Sequence, residues 1–410
     1  MHESIRMDAR QQRRAQLSIY ALAFFTGNLS PMIAVILPLW VLQLSASPFV
    51  IGLIIASRQI LAVLFSIHGG TLLDRFDPRK VILVLGLTCA VTTTLYPVLP
   101  FVWAAILLQT MSGFAETTTW IGAQSLVGRL LQGSAVYAGR MTAAARFGGF
   151  VGPILAGLAW QIAGPYGAFG FIAFWISCGV VTGLFVPAVE RSNPTDPPTH
   201  STPKASVLKS YLPNPADYWT TLKLLLLPAV GLVIAATFMR QAGSGIQSSF
   251  YGVWLSEAGF SAGVIGMLIG VGNLVSAGTA LSIGPLTRRF NEHWLLLAVI
   301  FLAIVSIAIT PMLDTVAVLL VAISLRGVGQ GLNLPLMLSI AARAVGKDFQ
   351  GRVAALRISF NRLGSMLVPF VMGIVAEFFG LEAAFYIVGL CGAVLTGLLA
   401  VWISTQPTLR

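Results

Sequence analysis

Charged residues are scarce in this sequence of 410 amino acids. They make up 10% of the chain, whereas a water-soluble protein of this size needs about 25% to cover its surface. Hydrophobic residues make up 56%, and the mean hydropathy is +0.85. Most of the outer surface must therefore face something other than water, and lipid is the obvious candidate.

Residues that bind metals or perform covalent chemistry are also few. The three cysteines all lie in apolar runs, so no disulfide framework is suggested, and the four histidines are scattered without metal-ligand spacing. The sequence contains no Ser/His/Asp set, no acidic metal cluster and no phosphate-binding loop with lysine. We therefore predict that the protein is not an enzyme, needs no cofactor or metal, and is not driven by ATP.

Long runs without Asp, Glu, Lys or Arg dominate what is present. Three of them cover residues 15–57, 81–115 and 147–189, and each is too long for one membrane helix of about 20 residues and about right for two. Proline and glycine fall where turns are needed. The pattern predicts an all-α integral membrane protein with twelve spans, near 17–43, 48–68, 81–97, 100–127, 138–162, 167–188, 224–255, 262–283, 293–311, 315–342, 353–378 and 382–404.

The basic residues indicate an orientation. Connections after odd-numbered spans hold no Lys or Arg. Both termini and the connections after even-numbered spans hold Arg6, Arg10, Arg13, Arg14, Arg75, Arg79, Lys80, Arg129, Arg191, Lys204, Lys209, Arg288, Arg289, Arg343, Lys347 and Arg410. By the positive-inside rule, both termini are cytoplasmic, as expected for a multi-pass protein of a bacterial inner membrane. The net charge of +11 is then mostly a topology signal, and we expect no nucleic-acid partner.

A polar segment and an internal repeat divide the chain. Residues 190–223 are rich in Pro, Ser and Thr and are predicted to be a cytoplasmic linker between six-helix bundles at 1–189 and 224–410. Gly70–Phe76 matches Gly284–Phe290 at an offset of 214, and Arg146–Gly157 matches Arg362–Gly373 at an offset of 216. Two parallel repeats with a cleft between them are typical of one large class of secondary transporters.

The connection between spans two and three carries a recognisable motif. Its sequence, GGTLLDRFDPRK, resembles the G-x-L-x-D-R-x-G-R-K loop of the major facilitator superfamily, with departures at Asp77 and Pro78. The resemblance, which the span count, linker and repeat extend to the whole chain, implies a secondary transporter that is monomeric by the family's default. It also implies a latch on the outward-open state, formed here by Gly70, Asp74, Arg75, Arg79 and Lys80. The alternative is that the three basic residues only enforce topology.

Two further motifs bear on direction and coupling. Gly139, Gly148, Gly152, Pro153 and Gly157 resemble the glycine-rich fifth-span motif of the family's antiporters, which implies export, although generic helix packing is an alternative. In the fourth span the family usually carries R-x-x-x-G. Here Gln109 replaces the arginine before Gly113, so the family's usual proton-coupling scheme does not transfer directly.

Ionisable residues inside spans are costly and are candidates for function. Arg58, Glu116, Arg240 and Arg326 are predicted near mid-membrane, whereas Arg362 is predicted nearer a cytoplasmic end, where snorkelling explains it. Three bases against one acid favour an anionic or zwitterionic solute. The alternative is that Glu116 pairs with one arginine while the others bond to backbone carbonyls.

Glu116 is the predicted proton-coupling residue, because burial disfavours the charged form of a carboxyl group. A structural ion pair is the rival interpretation. Lesser pore-lining candidates, for which interhelical hydrogen bonding is the alternative, are Asn28, Gln241, Gln247, Asn273, Gln330 and Asn333.

Together these features predict a transporter that moves a small organic solute by alternating access, by proton-coupled export. One alternative is a proton-coupled importer of an organic anion, and another is a membrane sensor that binds ligand without transporting it. The expected partners are the solute, the proton and membrane lipid.

Overall fold

The computed structural model describes residues 9–64, 77–131, 135–187, 223–344 and 350–406. Every regular element within these ranges is helical, which confirms the predicted all-α fold. Three residues of the predicted latch, Gly70, Asp74 and Arg75, lie outside the described residues, as does the predicted linker up to residue 222.

Seven α-helices are described before the linker. The amino-terminal helices are α1 Ala9–Thr26, α2 Leu29–Gln43, α3 Pro48–Ser57, α4 Ile60–Leu64, α5 Pro78–Leu95, α6 Val102–Leu130 and α7 Ala135–Leu184. Helix α7 covers two predicted spans. Between them its backbone leaves the helical region at Ala163 and at Gly164, where φ is +59°. Glycine adopts that conformation without the clash of a side chain, so the chain turns where the sequence predicts a turn.

The carboxyl-terminal helices follow the linker. They are α8 Pro228–Ser249, α9 Tyr251–Glu257, α10 Ala262–Ala280, α11 Ile283–Arg289, α12 Glu292–Ala308, α13 Val316–Ala344, α14 Gln350–Phe379 and α15 Leu381–Thr405. Two single 3₁₀ turns, Leu224–Leu226 and Thr310–Met312, precede α8 and follow α12.

The apolar runs of the sequence are helical throughout the described ranges. Eight helical stretches in these ranges are long and apolar enough to cross a membrane, and Pro48–Leu64 and Glu292–Ala308 are shorter apolar stretches. Large apolar side chains such as Val84, Phe174 and Leu390 are more than 60% exposed on the outside of the molecule. Such a surface suits contact with hydrocarbon rather than with water.

Two predicted spans are interrupted near their middles. The first is divided between α1 and α2 at Gly27 and Asn28, where the Asn28 side-chain amide donates to the Phe24 carbonyl oxygen. Asparagine side chains compete in this way with the backbone hydrogen bonds of a helix. The second is divided between α3 and α4 at Arg58 and Gln59, which lie in a turn.

Equivalent close contacts join the two sets of helices. Helix α7 packs against α10, and α3 packs against α14. A methyl group at Gly266 would overlap the carbonyl oxygen of Pro153, and one at Gly52 would lie 2.5 Å from the carbonyl oxygen of Pro369. These pairs are related by the sequence offsets of 214 and 216, so the repeat has a counterpart in the packing. Backbone contact of this kind requires glycine and holds the helices close on both sides of a central cavity.

Candidate functional site

A cavity of about 300 Å³, here called the main cavity, lies between the amino- and carboxyl-terminal helices. The amino-terminal helices contribute the apolar residues Ile33, Ala34, Leu37 and Ile55 together with the polar residues Ser30, Arg58, Gln59 and Gln109. The lining from α8 and α14 is mainly polar and consists of Arg240, Gln241, Ser244, Gly245, Ser248, Arg362 and Ser365. This volume is at the small end of the range for ligand pockets, so the cavity suits a small molecule with both polar and apolar groups.

A second cavity of about 190 Å³, here called the side cavity, adjoins the first. It is lined mainly by α1, α2 and α6, with Thr26, Gly27, Ser30, Gly113, Glu116, Thr117 and Trp120. Four residues line both cavities: Ser30, Arg58, Gln59 and Arg362. These shared residues form the boundary between a space that contains a carboxylate and one lined by arginines.

Arg58 and Glu116 form an ion pair at this boundary. The Nη2 atom of Arg58 donates to Oε2 of Glu116, and the side chains are 7% and 17% exposed. The other carboxylate oxygen of Glu116 accepts a 2.9 Å hydrogen bond from the backbone N–H of Ser30, in the first turn of α2. The carboxylate is therefore held by a guanidinium and by the first turn of a neighbouring helix.

The rest of the Arg58 guanidinium is bound by α6. Its Nη1 atom donates to Oε1 of Gln109 at 2.8 Å and to Oγ of Ser112 at 3.4 Å. A methyl group at Gly113 would overlap the carbonyl oxygen of Arg58, so glycine there allows α6 to approach the α3–α4 turn. The sequence motif Gln109-x-x-x-Gly113 thus holds an arginine that comes from another helix.

Arg240 and Gln241 join α8 to α14. Arg240 Nη2 donates to Oδ1 of Asn361, and Gln241 Nε2 donates to Oγ of Ser365. Among the described residues, Arg240 Nε and Gln241 Oε1 are buried without a hydrogen-bond partner. One donor and one acceptor are therefore left over on residues that line the main cavity.

Arg362 connects the carboxyl-terminal helices to the boundary between the cavities. Its Nη1 atom donates a 3.1 Å hydrogen bond to Oε1 of Gln59. Depth along the span predicts Arg362 near a cytoplasmic end and therefore outside the cavity. Its repeat partner Arg146 has the same R-x-G-x4-P context but is not among the residues that line the two cavities, so the repeat gives no signal for this position.

Most other pore-lining candidates lie outside the two cavities. Asn28 accepts from Trp175 Nε1 at 3.0 Å, Asn273 donates to the Gly149 carbonyl oxygen at 3.1 Å, and Gln330 donates to Ser244 Oγ. Such bonds are the interhelical alternative that the sequence left open for these three residues.

Three further candidates also lie outside the cavity linings. Arg326 is 5% exposed and Asn333 is fully buried, and among the described residues Arg326 Nε and both polar atoms of the Asn333 amide have no hydrogen-bond partner. Gln247 is half-buried on α8. The cavities therefore bring together Arg58, Glu116, Arg240 and Gln241 from the predicted set, and they add Arg362 and Gln59.

The described part of the predicted latch lies at the start of α5. Asp77 caps this helix by accepting a 3.0 Å hydrogen bond from the backbone N–H of Arg79, and Pro78 occupies the first helical position. The two departures from the family loop are therefore a helix cap followed by a helix-compatible proline. Arg79 donates to the carbonyl oxygen of Leu184 at the end of α7, and Lys80 is exposed.

The glycine-rich motif of α7 faces two neighbours. Methyl groups at Gly148 and Gly152 would meet the α1–α2 junction, at Phe24 and Asn28 for the first and at Met32 for the second. Gly157 faces the Ala262 carbonyl oxygen in α10, as Pro153 faces Gly266. A methyl group at Gly139 would meet no described atom within 4 Å.

Metal chemistry has no candidate site in these ranges. Among the described residues, no group of three or more His, Cys, Asp or Glu side chains could hold a metal ion.

Comparison with known proteins identifies the family. The family model of the Major Facilitator Superfamily matches residues 18–239 and 233–410. The chain is 25% identical over 386 residues to the multi-drug resistance efflux pump PmrA of Streptococcus pneumoniae, covering 90% of this chain and 91% of that protein. It is 24% identical over 382 residues to the uncharacterized MFS-type transporter YuxJ of Bacillus subtilis, covering 89% and 92%.

Solved structures share the fold. The nucleoside transporter NupG has a TM-score of 0.75 at 13% identity, over 96% of this chain and all of that one. A bacterial homologue of the human lysosomal transporter Spinster, in an inward-facing and unoccupied conformation, has a TM-score of 0.72 at 14% identity, over 97% of each chain. With the family match extending across the chain, this multi-pass protein of the cell membrane belongs to the Major Facilitator Superfamily and is a transporter, not an enzyme.

Proposed function

We propose that the protein exports a small anionic or zwitterionic organic solute in exchange for protons. The observation that carries this proposal is the charge on the main cavity. Arg240 and Arg362 line it and, among the described hydrogen bonds, donate to neutral side-chain amides, whereas the charge of Arg58 is balanced by Glu116. Guanidinium groups in such a space favour a carboxylate or phosphate. The similarity to a protein named as an efflux pump supports export.

Glu116 is the proposed proton-coupling residue. It lines the side cavity, so solvent and solute can reach it, and its carboxylate is stabilised by Arg58 and by the Ser30 N–H. A proton that binds there removes the charge balanced by Arg58 and so alters the boundary between the two cavities. Proton occupancy and solute occupancy then depend on each other, which is the requirement for coupling.

The proposed topology has twelve spans, cytoplasmic termini, bundles at 1–189 and 224–410, and a linker at 190–223. The positions of the helices support it, as do the break inside α7 and the two shorter apolar stretches. We propose that the protein works as a monomer in a bacterial inner membrane. The loop from Gly70 to Lys80 is the proposed latch of the outward-open state.

An importer of an organic anion is a second candidate, and one observation favours it. If Glu116 takes up a proton, Arg58 loses its ionic partner and can bind an anion in the adjoining main cavity. Proton and anion would then bind together, which produces transport of both in the same direction.

Proteoliposomes that contain a trapped pH-sensitive dye test the proposal. Charged solutes are added outside while proton movement into or out of the vesicles is recorded. Export in exchange for protons requires solute and proton to move in opposite directions, and Glu116→Gln should abolish the proton signal. Movement in the same direction would support the importer. Binding without any flux would support a sensor and would contradict both transport proposals.

A further inference from the structure

The charges that face the two cavities are unevenly distributed. Glu116 is the only acid in the described lining, and it lies in the side cavity. Arg240 lies in the main cavity and Arg362 borders both. Arg146 and Arg357 are close enough to Arg240 to add to the positive potential there. An acidic end and a basic end therefore lie on either side of one boundary.

The hydrogen bonds distinguish an arginine whose charge is already paired with an acid from one whose charge has no described acidic partner. Arg58 uses Nη2 for Glu116 and Nη1 for Gln109 and Ser112. Among the described residues, Arg240 Nε is buried without a hydrogen-bond partner, and the Arg240 guanidinium donates to the neutral amide of Asn361. Since a buried guanidinium is costly without an anion, the main cavity favours an anionic group on its ligand.

The side cavity imposes the opposite requirement. The charged and titratable groups that face Glu116 are Arg58 on the α3–α4 turn, Arg362 on α14 and Cys89 on α5. A solute that is exported in exchange for a proton must bind while Glu116 is ionised and must be released when Glu116 takes up the proton. Of the two solute classes proposed above, a simple anion meets this requirement less well, because protonation of Glu116 makes the site more positive and strengthens anion binding. A solute that also carries a cationic group meets it better, because that group needs the ionised carboxylate.

We infer that the solute is a small zwitterion that lies across the boundary between the two cavities. Its cationic group replaces Arg58 beside Glu116, and its anionic group binds Arg240, Arg362 and the displaced Arg58, which also lines the main cavity. Its apolar body rests on Ile33, Leu37 and Ile55 in the main cavity. The inference rests on the proposed proton-coupled export and specifies its substrate class. It explains why an arginine-lined main cavity adjoins a side cavity that contains an acid.

Three compounds of matched shape test this inference. They are 4-(aminomethyl)benzoate, 4-methylbenzoate and 4-methylbenzylamine, which carry both charges, the negative charge alone and the positive charge alone. Binding to the purified full-length protein is measured by thermal stabilisation across a pH series. The zwitterion should bind best, and its apparent Kd should rise on acidification by up to about tenfold per pH unit, the limit for competition with one proton. Binding of 4-methylbenzoate should strengthen on acidification.

Two variants test which cavity residue binds each charged group of the zwitterion. In Glu116→Gln the zwitterion should lose its pH dependence and bind no better than 4-methylbenzoate. In Arg240→Gln both carboxylates should bind more weakly. Glu382→Gln is the matched control, because this carboxylate is far along the chain on α15 and accepts only from the Tyr386 hydroxyl among the described hydrogen bonds. If the cavity variants do not fold, the pH series on the unmodified protein still decides the question.

The outcomes separate this inference from the proposed function. Preference for 4-methylbenzoate or 4-methylbenzylamine, zwitterion binding that strengthens on acidification, or no stabilisation by any compound would overturn the zwitterion assignment. If 4-methylbenzoate instead drove proton movement in proteoliposomes, proton-coupled transport would stand while the zwitterion assignment failed. If no compound in a broad set of charged solutes moved protons, the proposed function itself would fail.

Discussion

The Nη1 atom of Arg58 donates a 2.8 Å hydrogen bond to Oε1 of Gln109, the residue that replaces the arginine of the family's fourth-span motif. The guanidinium missing from α6 is thus supplied by the turn between α3 and α4. Glu116 lies seven residues beyond Gln109, which is about two helical turns, so both side chains project from the same face of α6 toward Arg58. This arrangement preserves an arginine beside Gly113 although the motif has lost it.

Exchanging Arg58 and Gln109 tests whether α6 can carry the guanidinium itself. Arg58→Gln should lower the free energy of unfolding by about 3 kcal/mol, because it leaves the Glu116 carboxylate without its ionic partner. Adding Gln109→Arg should recover part of that loss and part of the transport activity. Thermal unfolding and proteoliposome flux measure the two effects. Arg13→Gln, at an exposed position in α1, should change neither, and a double variant no better than Arg58→Gln would contradict the exchange.

Glu116→Gln separates binding from coupling. The glutamine keeps one oxygen, which can accept from Arg58 or from the Ser30 N–H but cannot replace both carboxylate oxygens, and the side chain can no longer gain or lose a proton. We expect exchange of labelled solute between the two sides of the membrane to continue while accumulation driven by a pH gradient is lost. Parallel counterflow and gradient-driven assays measure this difference. Full gradient-driven transport by the variant would rule out the coupling role.

The positions of the helices could be predicted from sequence because backbone groups in lipid must bond within their own segment. The predicted span 100–127, for example, corresponds to α6 at Val102–Leu130. The break at Arg58 and Gln59 could not be predicted in this way. It depends on contact with Gly113 of another helix, and a hydropathy pattern contains no information about that contact.

Depth along a span predicts which ionisable residues are buried but not what they face. The sequence placed Arg326 near mid-membrane and Arg362 at a cytoplasmic end, yet Arg362 lines both cavities and Arg326 lines neither. The direction of a side chain depends on helix rotation and tilt, which packing determines. Contacts such as Gly52 against Pro369 orient α14, and they become visible only when both helices are placed.

The proposed latch predicts the effect of Asp74→Asn. The Asp74 carboxylate is expected to accept hydrogen bonds from the N-terminus of a neighbouring helix, where the helix dipole favours an anion. A neutral asparagine should bind there more weakly, so the outward-open state should become less populated. Single cysteines in the main cavity, introduced into a cysteine-free background, should react faster with reagents added from the cytoplasmic side. Asp314→Asn provides a matched control, because it makes the same change at an exposed position outside the proposed latch. Unchanged labelling in Asp74→Asn would argue against a latch.

The contact between Gly266 and Pro153 predicts a different conformational effect, and α10 supplies its own control. Gly266→Val places a branched side chain against a backbone carbonyl that cannot move without shifting α7, whereas Gly278→Val, on the same helix, meets no described atom within 4 Å. Overpacking of this kind costs about 1–3 kcal/mol, so α10 should separate from α7 and Gly266→Val should have the lower Tm. In a cysteine-free background, Ser248→Cys in the main cavity should then react faster with membrane-impermeant thiol reagents added outside, because Gly266 and Pro153 lie toward the predicted outer ends of their helices. Equal Tm values and labelling rates for the two valine variants would mean that this contact does not hold the cavity closed.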